Sequence, residues 1–218
     1  EVRNDTPTVY TVIVKADEPL QFEPGQFFFI YATRDGRKAA KAYSVASVPG
    51  QDTLEFCIER VEHGFMSNKL YHLKKGDKME INGPFGFFTL QPATRPIVFL
   101  ATGTGISALR PMIHTLLNQK TPEEIWLIFG VRTQQDILYR KECEEFAQQH
   151  KNFHFIPVLS KEKWEGHHGH IQHNLWKVIK NPDADYYVCG LAPMVDDIRN
   201  MLSMAGIPQE RIHIERYV

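Results

Sequence analysis

Thr102-Gly103-Thr104-Gly105 follows the apolar run Pro96–Leu100 and precedes a helix-like stretch, Ser107–Asn118. A turn of this kind points backbone N–H groups outward, and a helix start carries partial positive charge, so together they form a seat for a pyrophosphate. Glycine at 103 and 105 lets a phosphate approach the backbone. In an open parallel sheet, ligands bind past the C-terminal ends of the strands, where this turn falls. The full fingerprint Gly-x-Gly-x-x-Gly is missing because residue 108 is Ala, and a plain strand–helix turn can use the same residues. A second strand-like run ends in Cys189-Gly190 ahead of Pro193-Met194. It brings a soft thiol to the same sheet edge, or leaves it as a buried packing residue.

Other reactive types offer less. His167, His168, His170 and His173 cluster, and His-x-x-His at 170 and 173 has two potential ligands. No carboxylate or cysteine completes a set, so the cluster reads as a solvated loop before a helix and no metal is expected. Cys57, Cys143 and Cys189 lie far apart without a Cys-x-x-Cys, which argues against a cysteine-held cluster. A sparse, odd count suits a reducing compartment, and the cytoplasm is expected.

The elements that must position these residues change character along the chain. Thr8–Val14, Gln26–Ala32 and Leu54–Ile58 read as strands, punctuated by Pro24-Gly25, Asp35-Gly36, Pro49-Gly50, Gly76-Asp77 and Asn82-Gly83-Pro84. One short helix is expected from Ser67 to about Leu73. From residue 96 strands alternate with helices: strands at Pro96–Leu100, Ile125–Phe129, Phe153–Leu159, Tyr186–Cys189 and Ile212–Ile214, and helices at Ser107–Asn118, Gln134–Gln149, Ile171–Val178 and Met194–Ala205. The expected fold is an all-β antiparallel barrel (1–92) followed by an α/β parallel-sheet nucleotide-binding domain (93–218).

Composition excludes other classes. The 218 residues are 43% apolar and 23% charged, with a net charge of -1, so no nucleic-acid partner is expected. No apolar run reaches the length of a membrane span. The opening Glu1–Tyr10 has neither a basic nor an apolar signal region, so no secretory signal is read. With no initiator Met, the chain reads as processed, trimmed or cut from something longer.

Several short motifs then converge in order. Lys41-Ala42-Tyr43-Ser44 resembles the Arg-x-Tyr-Ser segment of the ferredoxin–NADP reductase superfamily, and Gly64-Phe65-Met66-Ser67 resembles its flavin-pyrophosphate motif, Gly-x-x-Ser. Gly83-Pro84-Phe85-Gly86 is similar to the turn leading into that family's second domain. Ala101–Met112, Phe129–Arg132, Val188–Gly190 and Pro193-Met194 are similar to its later markers. The resemblance implies a flavin on the barrel and a nicotinamide nucleotide on a five-stranded parallel sheet. It implies that Tyr43 packs on the flavin ring and Ser44 bonds near flavin N5. Gly64, Met66 and Ser67 then meet the pyrophosphate, although Ser67 also reads as an N-cap. The backbone around Ile58 lies along the flavin. Thr102–Gly105, Arg132, Gly190, Pro193 and Met194 serve the nucleotide, with Thr104 and Cys189 at the nicotinamide. Tyr217 matches the C-terminal aromatic placed over the flavin in some relatives.

Lys41 departs from the family's Arg, exchanging a bidentate grip on phosphate for a point charge. The expected flavin is FAD, with FMN less favoured. NADH and NADPH both stay open: Lys161 and Lys163 favour a 2′-phosphate, while Glu162 and Glu165 oppose it. Electrons are expected to pass to a ferredoxin, an iron–sulfur protein or an oxygenase component. A flavin reductase using flavin as substrate and a non-catalytic regulatory subunit are the alternatives. The oligomeric state is not readable.

Overall fold

The computed structural model describes residues 1–16 and 20–217. Alternating side chains build the first half from β1 (Val2–Asn4), β2 (Val9–Lys15), β3 (Phe27–Arg34), β4 (Arg37–Ser44), β5 (Thr53–Glu59), α1 (Phe65–Tyr71) and β6 (Glu80–Phe85). The strands form two antiparallel three-stranded sheets, β1-β2-β5 and β4-β3-β6. Along β3, Phe28, Ile30 and Ala32 turn inward to meet Tyr10, Val12 and Phe56, while Phe27, Phe29 and Tyr31 turn outward. Asp35-Gly36 closes the β3–β4 hairpin with both residues at positive φ (50° and 74°), as a tight primed turn requires. The Asn82-Gly83-Pro84 turn signal instead lies inside β6. That strand is an edge, where proline's missing N–H costs no ladder bond.

The second half runs β7 (Ile97–Thr102), α2 (Ile106–Asn118), β8 (Ile125–Val131), α3 (Arg140–Gln149), β9 (Phe153–Leu159), β10 (His167–His168), α4 (Ile171–Val178), β11 (Asp185–Leu191), α5 (Ala192–Met204) and β12 (Ile212–Tyr217). It forms one parallel sheet in the order β10-β9-β8-β7-β11-β12, with α2 and α3 on one face and α4 and α5 on the other. The sheet has six strands rather than five. The extra one is the two-residue β10, in which His167 and His168 pair with Val158 and Leu159 instead of lying in a loop.

The expected helix Gln134–Gln149 is also broken. Thr133 and Asp136 form a capping box around a single 3₁₀ turn, Gln134–Asp136. The chain then dips inward to bury Ile137 and Leu138, and Tyr139 takes a left-handed conformation (φ 53°) before α3 begins. Among the described residues, no helix is long and apolar enough to cross a membrane.

Candidate active site between the two domains

The C-terminal ends of β7, β8 and β11 face the barrel across a cleft of about 880 Å³. The barrel supplies Lys41, Tyr43 and Ser44 from the end of β4 and Ile58 from β5. The parallel-sheet domain supplies Thr102, Gly103, Thr104, Arg132, Pro193, Met194 and Tyr217. Most of the residues singled out in the sequence therefore converge, and the central hydrogen bonds of the cleft join residues 171 and 173 positions apart.

Three side chains form a proton-holding relay at the junction. The Tyr217 hydroxyl donates to Ser44 Oγ at 2.8 Å, and Ser44 Oγ donates to the Glu215 carboxylate at 2.9 Å. Burial pushes the Glu215 pKa up, partly opposed by the Ser44 hydrogen bond. Burial also holds the Tyr217 hydroxyl and Cys189 thiol well above their ordinary values, so both stay protonated. Glu215 escaped the sequence reading. The available signal was its spacing from Tyr217, since residues two apart on a strand share a face.

The nucleotide end is built on the turn after β7. Gly103 lines the cleft at φ +52°, with no atom within 4 Å of where a Cβ would sit, leaving its backbone open to a ligand. Gly105 instead serves packing: a Cβ there would lie 2.3 Å from the Cys189 carbonyl oxygen. Gly105→Ala is expected to destabilise the fold by about 2–3 kcal/mol through backbone displacement between β7 and β11. A urea-unfolding midpoint equal to that of the parent would contradict this packing role. Farther along the cleft lie Arg132, after β8, and Ser160, after β9. Both carboxylate oxygens of Glu162 hold Gln134, at its backbone N and side-chain Nε2, each at 2.8 Å.

Six predicted residues, namely Gly64, Met66, Ser67, Gly105, Cys189 and Gly190, do not line this cleft. Cys189 is fully buried and faces the Tyr217 hydroxyl, which stands on the cleft side. Gly190 packs against Thr102. Ser67 is not an N-cap: α1 starts two residues earlier, with Gly64 at the cap. The buried Ser67 hydroxyl accepts from the Val61 amide at 3.2 Å and donates to the Gly64 carbonyl at 3.4 Å. Its side chain thus ties the entry to α1. Met66 is buried in the barrel core. Gly64 lines a neighbouring open cavity of about 790 Å³ with Arg60, Asn68 and Lys69. Thr8 borders both cavities.

The lining fits a large, partly polar ring system with an anionic tail. The Tyr43 hydroxyl is buried without a hydrogen-bond partner, and burial pushes its pKa upward. A buried hydroxyl left unpaired in a cleft wall calls for a ligand's polar atom. Exposed Lys41 has its ammonium 6.0 Å from the Tyr43 ring centre and supplies positive charge beside that aromatic face. Together these features give a cleft between two domains with an aromatic wall, a positive charge beside it and a glycine turn open to a ligand.

Comparison with known proteins agrees. Residues 1–90 match the oxidoreductase FAD-binding domain and residues 99–200 the oxidoreductase NAD-binding domain. The chain is 32% identical over 208 residues to ferredoxin–NADP reductase B of Sorangium cellulosum, a match covering 90% of this chain and 85% of that one. It is 33% identical over 206 residues to the anthranilate 1,2-dioxygenase electron transfer component of Acinetobacter baylyi, covering 91% of this chain but 59% of that protein. The cytochrome P450 reductase GcoB of Amycolatopsis superposes with a TM-score of 0.92 at 28% identity, covering 99% of this chain and 67% of that one. The ferredoxin–NADP+ reductase of Neisseria gonorrhoeae, solved with FAD and NADP, shares the fold (TM-score 0.86, 22% identity, 99% and 94% covered). The chain belongs to the ferredoxin–NADP reductase superfamily and is an oxidoreductase working with a flavin and NAD(P)H.

Proposed function

We propose that the chain carries FAD rather than FMN, takes electrons from NADPH in preference to NADH, and passes them to a ferredoxin, an iron–sulfur protein or an oxygenase component. The observation that carries this reading is the Tyr217–Ser44–Glu215 relay in a cleft shared by both domains. The cofactors, when bound, supply the hydride chemistry; the protein supplies orientation and electrostatics. In this reading Tyr43 gives its ring face to the flavin, and its unpaired hydroxyl gains a partner. Ser44 holds a proton beside flavin N5, steadied by Tyr217 and Glu215. The backbone at Ile58 borders the ring. Lys41 and the segment Gly64–Ser67 serve the flavin phosphates, through backbone groups where the Ser67 side chain is already engaged. Thr102–Gly105, Gly190, Pro193 and Met194 shape the nicotinamide end. Cys189, behind Tyr217, meets a nicotinamide only when Tyr217 is displaced.

The second cavity beside Gly64 supports FAD, since it offers room for an adenylate half that FMN lacks. Arg132 supports NADPH: among the described residues it has no carboxylate within 4 Å, while Glu162 is occupied by Gln134. The acceptor class rests on relatives that are a ferredoxin–NADP reductase and an oxygenase electron transfer component. We place the domain boundary at 92/93, where the Gln91 amide donates to the Tyr187 hydroxyl at 2.8 Å and ties the connecting segment to the second domain.

Chromatography of the flavin released from denatured protein is expected to show FAD; FMN would contradict the assignment. Steady-state kcat/KM is expected to favour NADPH. Arg132→Ala should lower the NADPH value about 10–100-fold and the NADH value only slightly. Equal losses with both donors would remove Arg132 as a reader of the 2′-phosphate.

A further inference from the structure

Asn174 stands where an apolar residue would suit the local structure better. It lies in α4 beside the buried Ile171 and Leu175 and is itself 2% exposed. Asparagine is a poor helix former, and a buried amide is costly unless its hydrogens are donated. Asn174 Nδ2 donates to two carbonyls, that of His168 at 3.0 Å and that of His170 at 2.9 Å. From the other side of the same turn, the Gly169 amide donates to the Leu159 carbonyl at 2.8 Å, next to the pairing of His168 with Leu159. The turn in the histidine-rich segment is therefore held from both flanks.

This held turn faces the cleft. Gly169 and His170 line it together with Arg132 and Ser160. Gly169 has a φ of +97°, and no atom lies within 4 Å of where a Cβ would sit, so its backbone is open to a ligand as that of Gly103 is. The start of α4 is fixed as well. A Cβ on Gly130 would lie 2.7 Å from Ile171 Cγ2, so α4 begins tight against the end of β8.

Place in the sheet says which part of the donor this turn meets. Tyr217, on β12, and its partner Ser44 mark the hydride end, and the glycine turn after β7 is the diphosphate seat. β10 lies three strands from β7, on the side away from β12. At the usual strand spacing that is about 14 Å, the scale of one nucleotide. The adenylate half of the donor then extends over the ends of β8 and β9 to the turn before α4.

We propose that Asn174 is a positioning residue for the nicotinamide donor, holding the Gly169-His170 turn where it meets the adenylate half common to NADH and NADPH. Asn174 does not itself line the cleft, so it acts only through the turn. The proposal rests on the NAD(P)H reading above.

The test uses the full flavin-loaded chain, Asn174→Leu and Asn174→Ala. Leucine keeps a similar volume and strands the His168 and His170 carbonyls. Alanine leaves space for a water to replace the amide, and decides the question if Asn174→Leu does not fold. Anaerobic rapid mixing follows flavin reduction by NADPH, by NADH and by reduced nicotinamide mononucleotide, which lacks the adenylate half. Asn174→Leu is expected to raise the half-saturating concentration of both dinucleotides about tenfold, and Asn174→Ala less, with the limiting rate within about twofold of the parent. The bimolecular rate with the mononucleotide is expected to stay within about twofold of the parent in both variants. Half-saturation unchanged in every variant that folds would overturn the proposal. So would a loss with the mononucleotide that parallels the loss with the dinucleotides, since that marks a general loss of structure. A parent whose flavin none of the three donors reduces would overturn the NAD(P)H reading beneath it.

Discussion

Ser44→Ala is expected to slow reduction of the bound flavin by NAD(P)H about 10²–10³-fold while leaving flavin affinity within about twofold. Ser44 Oγ is the central atom of the relay, accepting from Tyr217 and donating to Glu215. Alanine removes that atom and leaves the Glu215 carboxylate, already penalised by burial, without its hydrogen-bond donor. The small volume change leaves the flavin-facing wall, Tyr43 and Lys41, in place. Anaerobic rapid mixing, with absorbance followed at the flavin band, separates the hydride step from later transfer. Glu215→Gln serves as a companion: it keeps an acceptor oxygen for Ser44 but removes a titrating group, so it should flatten the pH dependence of the rate more than it lowers the maximum. A Ser44→Ala rate within about threefold of the parent would show that the hydroxyl is not used.

The second large effect is on stability. Arg110, on α2, joins the two domains: Nε and Nη2 donate to the two Glu142 oxygens at 2.7 Å each, and Nη1 donates to the Ala46 carbonyl at 2.6 Å and faces Glu55 at 3.4 Å. Its guanidinium carbon sits 4.8 Å from the Tyr139 ring centre. Burial opposes the Arg110 charge, but the carboxylate partners outweigh it and hold the guanidinium firmly protonated. Arg110→Met keeps the stem and strands these partners, so a loss of about 3–5 kcal/mol is expected from urea unfolding. Arg110→Met combined with Glu142→Gln should recover part of that loss, because the orphaned charge disappears. A loss below about 1 kcal/mol would mean that the clamp contributes little.

The same clamp sets an acid limit. Burial raises the Glu142 pKa, but hydrogen bonds from Arg110 and His114 outweigh burial and hold it at about 2, against an ordinary 4.5. A depressed folded-state pKa stabilises fully above the unfolded value, and that stabilisation is lost as pH falls from 4.5 toward about 2. The amount is about 3 kcal/mol. Glu142→Gln should flatten the stability profile in that window.

Much of this was legible because it was local. Thr102–Gly105 sits between an apolar run and a helix, and Asp35-Gly36 closes a hairpin, so both follow from short-range chemistry. β4 was not legible from pattern: Arg37-Lys38-Ala39-Ala40-Lys41 is a poor strand former held by pairing with β3, and only the family motif flagged Tyr43 and Ser44 on it. The break before α3 was hidden because Ile137 and Leu138 fit a helical pattern equally well until tertiary burial draws them inward. Glu215 and Arg110 gain meaning only from partners 171 and 64 positions away, respectively, which no periodicity reports. Ser67 matched its motif, yet its side chain is spent on the α1 entry loop.

The most direct measurement of the hydride step is an anaerobic titration of the FAD-loaded protein with NADPH and, separately, NADH, following absorbance near about 450 nm. Bleaching that is complete near one equivalent of donor, and faster with NADPH, is the predicted result. A protein that binds FAD yet keeps its full flavin absorbance with excess of either donor would contradict hydride transfer in this cleft.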